Sequence, residues 1–102
     1  MGFKVVLTPQ SVSDLEEIVL FIAKVDSDRA RTFGYELIDR ALSLANFPER
    51  GRIVPEIGDS AVREIVHGRY RIIYEIFPDA ESVFVLRYWH GARGHPEIVS
   101  IA

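Results

Sequence analysis

A chain of 102 residues with 48% hydrophobic and 26% charged side chains has room for one hydrophobic core, so a single domain over residues 1–102 is expected. The absence of cysteine excludes a disulfide framework and a thiolate metal site, and no apolar run approaches the roughly 18 residues of a membrane span. A net charge of −3 argues against nucleic-acid binding through a basic field; with no signal-peptide pattern at the N-terminus, a cytoplasmic location is the expectation.

Phe3 to Thr8 is rich in β-branched residues and predicts a first strand, ended by Pro9, which cannot donate to a ladder but suits the first turn of a helix. Ser13-Asp14-Leu15-Glu16 offers a capping-box pattern as a competing start. Either start leads into Val12, Leu15, Ile18, Val19 and Ile22 at helical spacing. Leu20 and Phe21 widen that stripe, as a broad core face or as a second face for a partner. Asp26-Ser27-Asp28 breaks the pattern and can cap a second helix, with Ala30, Phe33, Leu37, Ile38, Ala41, Leu42 and Ala45 as its apolar positions. Asn46 to Gly51 ends the helical hairpin, and an irregular stretch, Arg52 to Ser60, follows.

The rest reads as a three-stranded meander, Ala61 to Val66, Tyr70 to Phe77 and Ser82 to His90, with turns at His67-Gly68-Arg69 and Pro78-Asp79-Ala80-Glu81. On the middle strand Tyr70, Ile72, Tyr74 and Ile76 share one side while Arg71, Ile73, Glu75 and Phe77 share the other. The helices can cover the first face; the second, carrying Arg71 and Glu75, is where function is expected. The tail from Gly91 has no period and reads as loop or a short terminal strand. The fold class is therefore α+β, in the order β-α-α-β-β-β, a helical hairpin on a twisted, mostly antiparallel sheet.

Ten of the twelve cations are arginine, and from Arg50 onward seven arginines face seven carboxylates. Arg63, Arg71 and Arg87 fall one to each strand of the meander, with His90 at its end and Arg93 just beyond. Guanidiniums suit bidentate anion recognition, so these groups could clamp a phosphodiester while Glu56 takes a proton from a ribose hydroxyl, which would make a metal-independent endoribonuclease. The structural alternative has Arg63 and Arg87 pair with Glu64 and Glu75 or face water, and leaves His90 as a strand-end cap. His67, His90 and His95 lack ligand-like spacing, so neither metal nor cofactor is indicated.

Gly51-Arg52-Ile53-Val54-Pro55-Glu56, Arg63-Glu64-Ile65, Tyr70-Arg71-Ile72-Ile73-Tyr74 and Trp89-His90-Gly91-Ala92-Arg93, in that order and spacing, resemble the RelE/ParE toxin superfamily, the plasmid stabilisation proteins. With the preceding strand and helices, the resemblance covers nearly the whole chain. It implies a growth-inhibiting toxin of a type II toxin–antitoxin system, neutralised by a cognate antitoxin that would bind along the helix hairpin or the sheet groove, for which the wide apolar stripe of Leu20 and Phe21 gives a physical reason. The His-Gly-Ala-Arg ending and Arg63-Glu64-Ile65 are closer to the ParE-type branch, whose members poison DNA gyrase without a catalytic set; Arg63, Arg71, Arg87 and Arg93 would then meet the target. The alternative is a RelE-type ribosome-dependent mRNA endoribonuclease using Arg71, Glu56 and His90, although no lysine follows Lys24 and no tyrosine follows Tyr88. A degenerate, non-toxic member is the third possibility.

Overall fold

In the computed structural model, which describes residues 2–102, strand β1 (Lys4–Leu7) leads directly into helix α1 (Pro9–Ala23). Thr8 makes that junction. Its hydroxyl accepts from the Ser11 N–H at 3.2 Å and donates to the Val85 carbonyl at 2.7 Å, so the cap of α1 is tied to a distant strand. The helix thus starts at Pro9 rather than at the Ser13 capping box. Asp26 caps helix α2 (Ser27–Leu42) by accepting from the Arg29 N–H at 3.0 Å. The two helices approach closely at Gly34, where a Cβ would lie 3.0 Å from Cγ2 of Val19.

Two short 3₁₀ turns, Ser43–Ala45 and Pro48–Arg50, carry the chain back to the sheet. Arg52–Ile53 then forms strand β2, a pairing not expected for this stretch, because two residues give no readable alternation. Strands β3 (Val62–His67), β4 (Tyr70–Phe77) and β5 (Ser82–His90) complete a five-stranded sheet in the order β1-β5-β4-β3-β2. All pairings are antiparallel except β1 with β5, which run parallel from Lys4 opposite Ser82 to Leu7 opposite Val85. Gly68 (φ +60°) supplies the left-handed residue that the two-residue β3–β4 turn needs.

Both faces of β4 are buried. On the helix side Ile72 and Tyr74 pack with Leu37, Leu44, Val85 and Tyr88, while on the far side Ile73 packs with Val54, Val62, Leu86 and Trp89. Burying each such aliphatic contributes about 1.5–3 kcal/mol, so neither cluster is incidental to stability. Val12, placed by its spacing on the core face of α1, is 39% exposed instead. The α1 positions that reach inward near its start are Ser11 and Asp14.

A β-bulge decides the orientation of the end of β5. Ile73 pairs with Arg87 and Tyr74 with Val85, leaving Leu86 as an extra residue. Strict alternation from Val83 and Val85 would put Arg87 and Trp89 on the helix side. The extra residue reverses this, so Tyr88 and His90 face the helices while Trp89 faces away and Arg87 lies at the margin, reaching both Asp14 of α1 and the far-face tail.

Candidate functional site

Arg71 occupies the centre of the far face, opposite Trp89 on β5 and Val66 on β3. All its donor nitrogens are engaged. Nη1 and Nη2 donate to Glu56 at 3.0 and 2.8 Å, and Nε donates to Glu64 at 2.6 Å. Glu64 is wholly buried on β3 and also accepts from Nε of Arg52 on β2. A line of alternating charges, Glu56, Arg71, Glu64 and Arg52, therefore spans loop, β4, β3 and β2. The hydrogen bond from Arg71 holds the Glu56 carboxyl down at about 2. Arg71 is in turn raised, first by Glu56 and then by Glu64. A carboxylate so acidic is a poor base near neutral pH, and three of the guanidinium's five N–H donors are already committed to carboxylates.

The other candidates lie elsewhere. Arg63 sits on the helix side, where Nε donates to the Ser60 carbonyl at 2.9 Å and Nη1 to the carbonyls of Gly51 and Glu49 at 3.0 and 3.2 Å. It ties the 48–51 turn to β3. Arg87 is 9% exposed and forms a bidentate pair with Asp14 of α1 at 2.8 and 2.9 Å. His90 stacks edge-on against Tyr70 at 4.9 Å on the helix side, and its Nδ1 accepts from the Ala92 N–H at 3.0 Å, as a strand-end cap. Arg93 lies over the Trp89 ring at 4.0 Å.

One guanidinium per strand thus does not produce one anion clamp, because Arg63 and Arg71 alternate to opposite faces and Arg87 is drawn to the sheet edge. Only Arg71 and Glu56 of the catalytic set come together; His90 is on the other side of the sheet. The expected ion pairs of Arg63 and Arg87 with Glu64 and Glu75 do not form either. Glu64 serves Arg71 and Arg52, whereas Glu75 accepts from the tail, through the Ser100 hydroxyl at 2.6 Å and the Ile101 N–H at 3.0 Å. Among the described residues, no group of three His, Asp or Glu side chains is arranged to hold a metal ion.

Asp14 is the buried residue that sequence reasoning missed. Beyond Leu7, β1 no longer covers β5, and Asp14 fills that gap by accepting from the Tyr88 N–H at 3.0 Å as well as from Arg87. Its position within the Ser13-Asp14-Leu15-Glu16 pattern disguised it as a cap residue. Leu20 and Phe21 are 68% and 67% exposed. They flank a groove of about 530 Å³ that continues over Lys24, Tyr70, His90 and Arg93 at the uncovered end of β5.

The family model for the ParE toxin of the type II toxin–antitoxin system parDE matches residues 5–94. No curated protein sequence gives a significant match. Among solved structures, a chain of the chromosomal ParDE toxin–antitoxin system of P. aeruginosa superposes with a TM-score of 0.70 at 13% identity, over 87% of this chain and 96% of that one. A chain of the RelBE2 toxin–antitoxin complex of Mycobacterium tuberculosis gives 0.66 at 20% identity, over 88% and 99%. These likenesses establish a shared α+β fold. With the family model matching nearly all of it, the chain belongs to the ParE toxin family of type II toxin–antitoxin systems.

Proposed function

We propose that this toxin acts by binding its target rather than by cutting RNA, with DNA gyrase as that target and the cytoplasm as its site of action. The observation carrying this reading is the occupied state of Arg71. Its donors are shared between Glu56 and Glu64, and the third catalytic candidate, His90, lies across the sheet. Purified toxin should inhibit gyrase supercoiling and accumulate cleaved DNA at micromolar concentration, and Glu56→Gln should leave that inhibition intact. Unimpaired supercoiling together with new mRNA cuts in translating cells, lost in Glu56→Gln, would establish the nuclease instead. That second reading draws on the direct contact between Glu56 and Arg71. Arg71→Ala is a poor discriminator, since it strips the buried Glu64 of a partner and destabilises the fold.

Of the four arginines, Arg93 is the one we assign to target contact, since it is exposed and its guanidinium rests on a ring rather than on a carboxylate. Arg63, Arg71 and Arg87 then act by holding the surface in shape. A cognate antitoxin is assigned to the groove beside Leu20 and Phe21, because exposed aliphatic and aromatic side chains of this size gain most from being covered. Leu20→Asp with Phe21→Asp should abolish co-purification with the antitoxin while the toxin remains folded.

A further inference from the structure

Glu75 is 1% exposed on the far face of the sheet, and among the described residues no cation pairs with it. A buried carboxylate requires compensating hydrogen bonds. Both of its oxygens find them in one place, the Ser100 hydroxyl at 2.6 Å and the Ile101 N–H at 3.0 Å. Arg87, on the neighbouring strand, holds the same segment at its other end by donating from Nη1 to the Glu97 carbonyl at 2.8 Å. Between these points Ile98 packs on the cluster of Val54, Val62, Ile73, Leu86 and Trp89.

The segment lies on this surface without regular secondary structure. Pro96 and Ile98 are half-buried and Ser100 turns its hydroxyl inward, whereas Val99 and Ile101 are 80% and 48% exposed. It makes no strand pairing, so its attachment consists of these side-chain contacts. It departs from the sheet through Gly94, whose φ of +80° gives the chain a pivot. Such an arrangement reads a short motif: a carbonyl bound by Arg87, an aliphatic side chain one residue on, then a hydroxyl and the next N–H bound by Glu75.

We propose that Glu75 and Arg87, with the apolar surface between them, form a binding site for a peptide segment bearing an aliphatic residue two positions before a serine or threonine, and that residues 97–101 occupy it in cis as an exchangeable strap. The site is independent of which target the toxin poisons. A tethered segment competes at an effective concentration in the millimolar range, so a free peptide of the same sequence is expected to displace it at comparable concentration.

The test uses the full chain and follows the Ile101 amide by hydrogen exchange and the Trp89 indole by NMR. The wild-type amide should be protected. Ser100→Ala, which removes one of the two hydrogen bonds to the Glu75 carboxylate, should reduce that protection about tenfold or more, the effect of losing one hydrogen bond to a charged acceptor, while amides of β4 and β5 stay protected. Glu75→Gln should reduce it as well. A synthetic peptide of residues 97–102 should accelerate Ile101 exchange at millimolar concentration, and a version with alanine in place of the serine should be about tenfold weaker. Exchange at the rate of an unstructured peptide in the wild type, indifference to Ser100→Ala, or no competition up to about 10 mM peptide would each overturn the site. Protection that rises with protein concentration would place a second copy's segment there and overturn the assignment in cis.

Discussion

Replacing Asp14 by alanine is the sharpest perturbation of this fold. Asp14 is 4% exposed and accepts two bonds from Arg87 and one from the Tyr88 N–H. In Asp14→Ala the guanidinium of Arg87 keeps only the Glu97 carbonyl and the Trp89 face, at 2.8 and 4.8 Å, with no carboxylate in direct contact. Breaking a buried pair from one side costs about 3–5 kcal/mol, much of it from the stranded partner. The orphaned N–H of Tyr88 costs a further 1–3 kcal/mol or so where water cannot reach it. Against a total stability of about 5–15 kcal/mol this removes roughly a third or more, and the melting temperature should fall by at least about 12 °C. Urea unfolding followed by Trp89 fluorescence measures the loss. Removing the stranded charge as well, in Asp14→Ala with Arg87→Met, should restore part of it, giving a coupling of about 1.5 kcal/mol or more. An Asp14→Ala cost below about 1 kcal/mol, or strictly additive single and double variants, would refute the assignment of Asp14 as keystone of the β5 edge.

The Glu56 carboxyl has a folded pKa of about 2 against an ordinary 4.5, so its stabilising effect is complete above 4.5 and is lost as pH falls toward 2. Because Glu56 is partly exposed, screening limits the effect to at most about 1 kcal/mol; Glu56→Gln should flatten the stability profile in that window, and parallel acid losses in variant and wild type would contradict the pairing. Tyr74 is fully buried, and its hydroxyl donates to the Pro48 carbonyl at 2.6 Å and accepts from the Gly51 N–H at 3.0 Å. Tyr74→Phe strands both groups, so it should cost about 2–3 kcal/mol in urea unfolding. Gly51→Ala should be at least as damaging, since its Cβ would overlap the Tyr74 hydroxyl and lie 2.6 Å from the Glu64 carbonyl; near-wild-type stability of that variant would show that the turn can move aside.

Local patterns made the elements legible in the amino-acid order. Thr8-Pro9 and Asp26 punctuate the helices through their own side chains and backbone limits, Gly68 supplies its own turn, and alternation in Tyr70–Phe77 marks a strand, although that its second face is buried as well is a finding of the structure. The family, too, was legible, because its motifs are local runs of residues whose order survives without coordinates. What tertiary structure alone decided is which candidates meet. The extra residue at Leu86 turns the end of β5 over, sending Trp89 to the far face and His90 toward the helices, and no periodicity announces a bulge. Asp14 and Arg87 are 73 positions apart, and Glu75 meets a tail 25 positions away. Such pairs depend on strand register and on where β1 stops, which follow from the packing of the whole sheet rather than from any short stretch of chain.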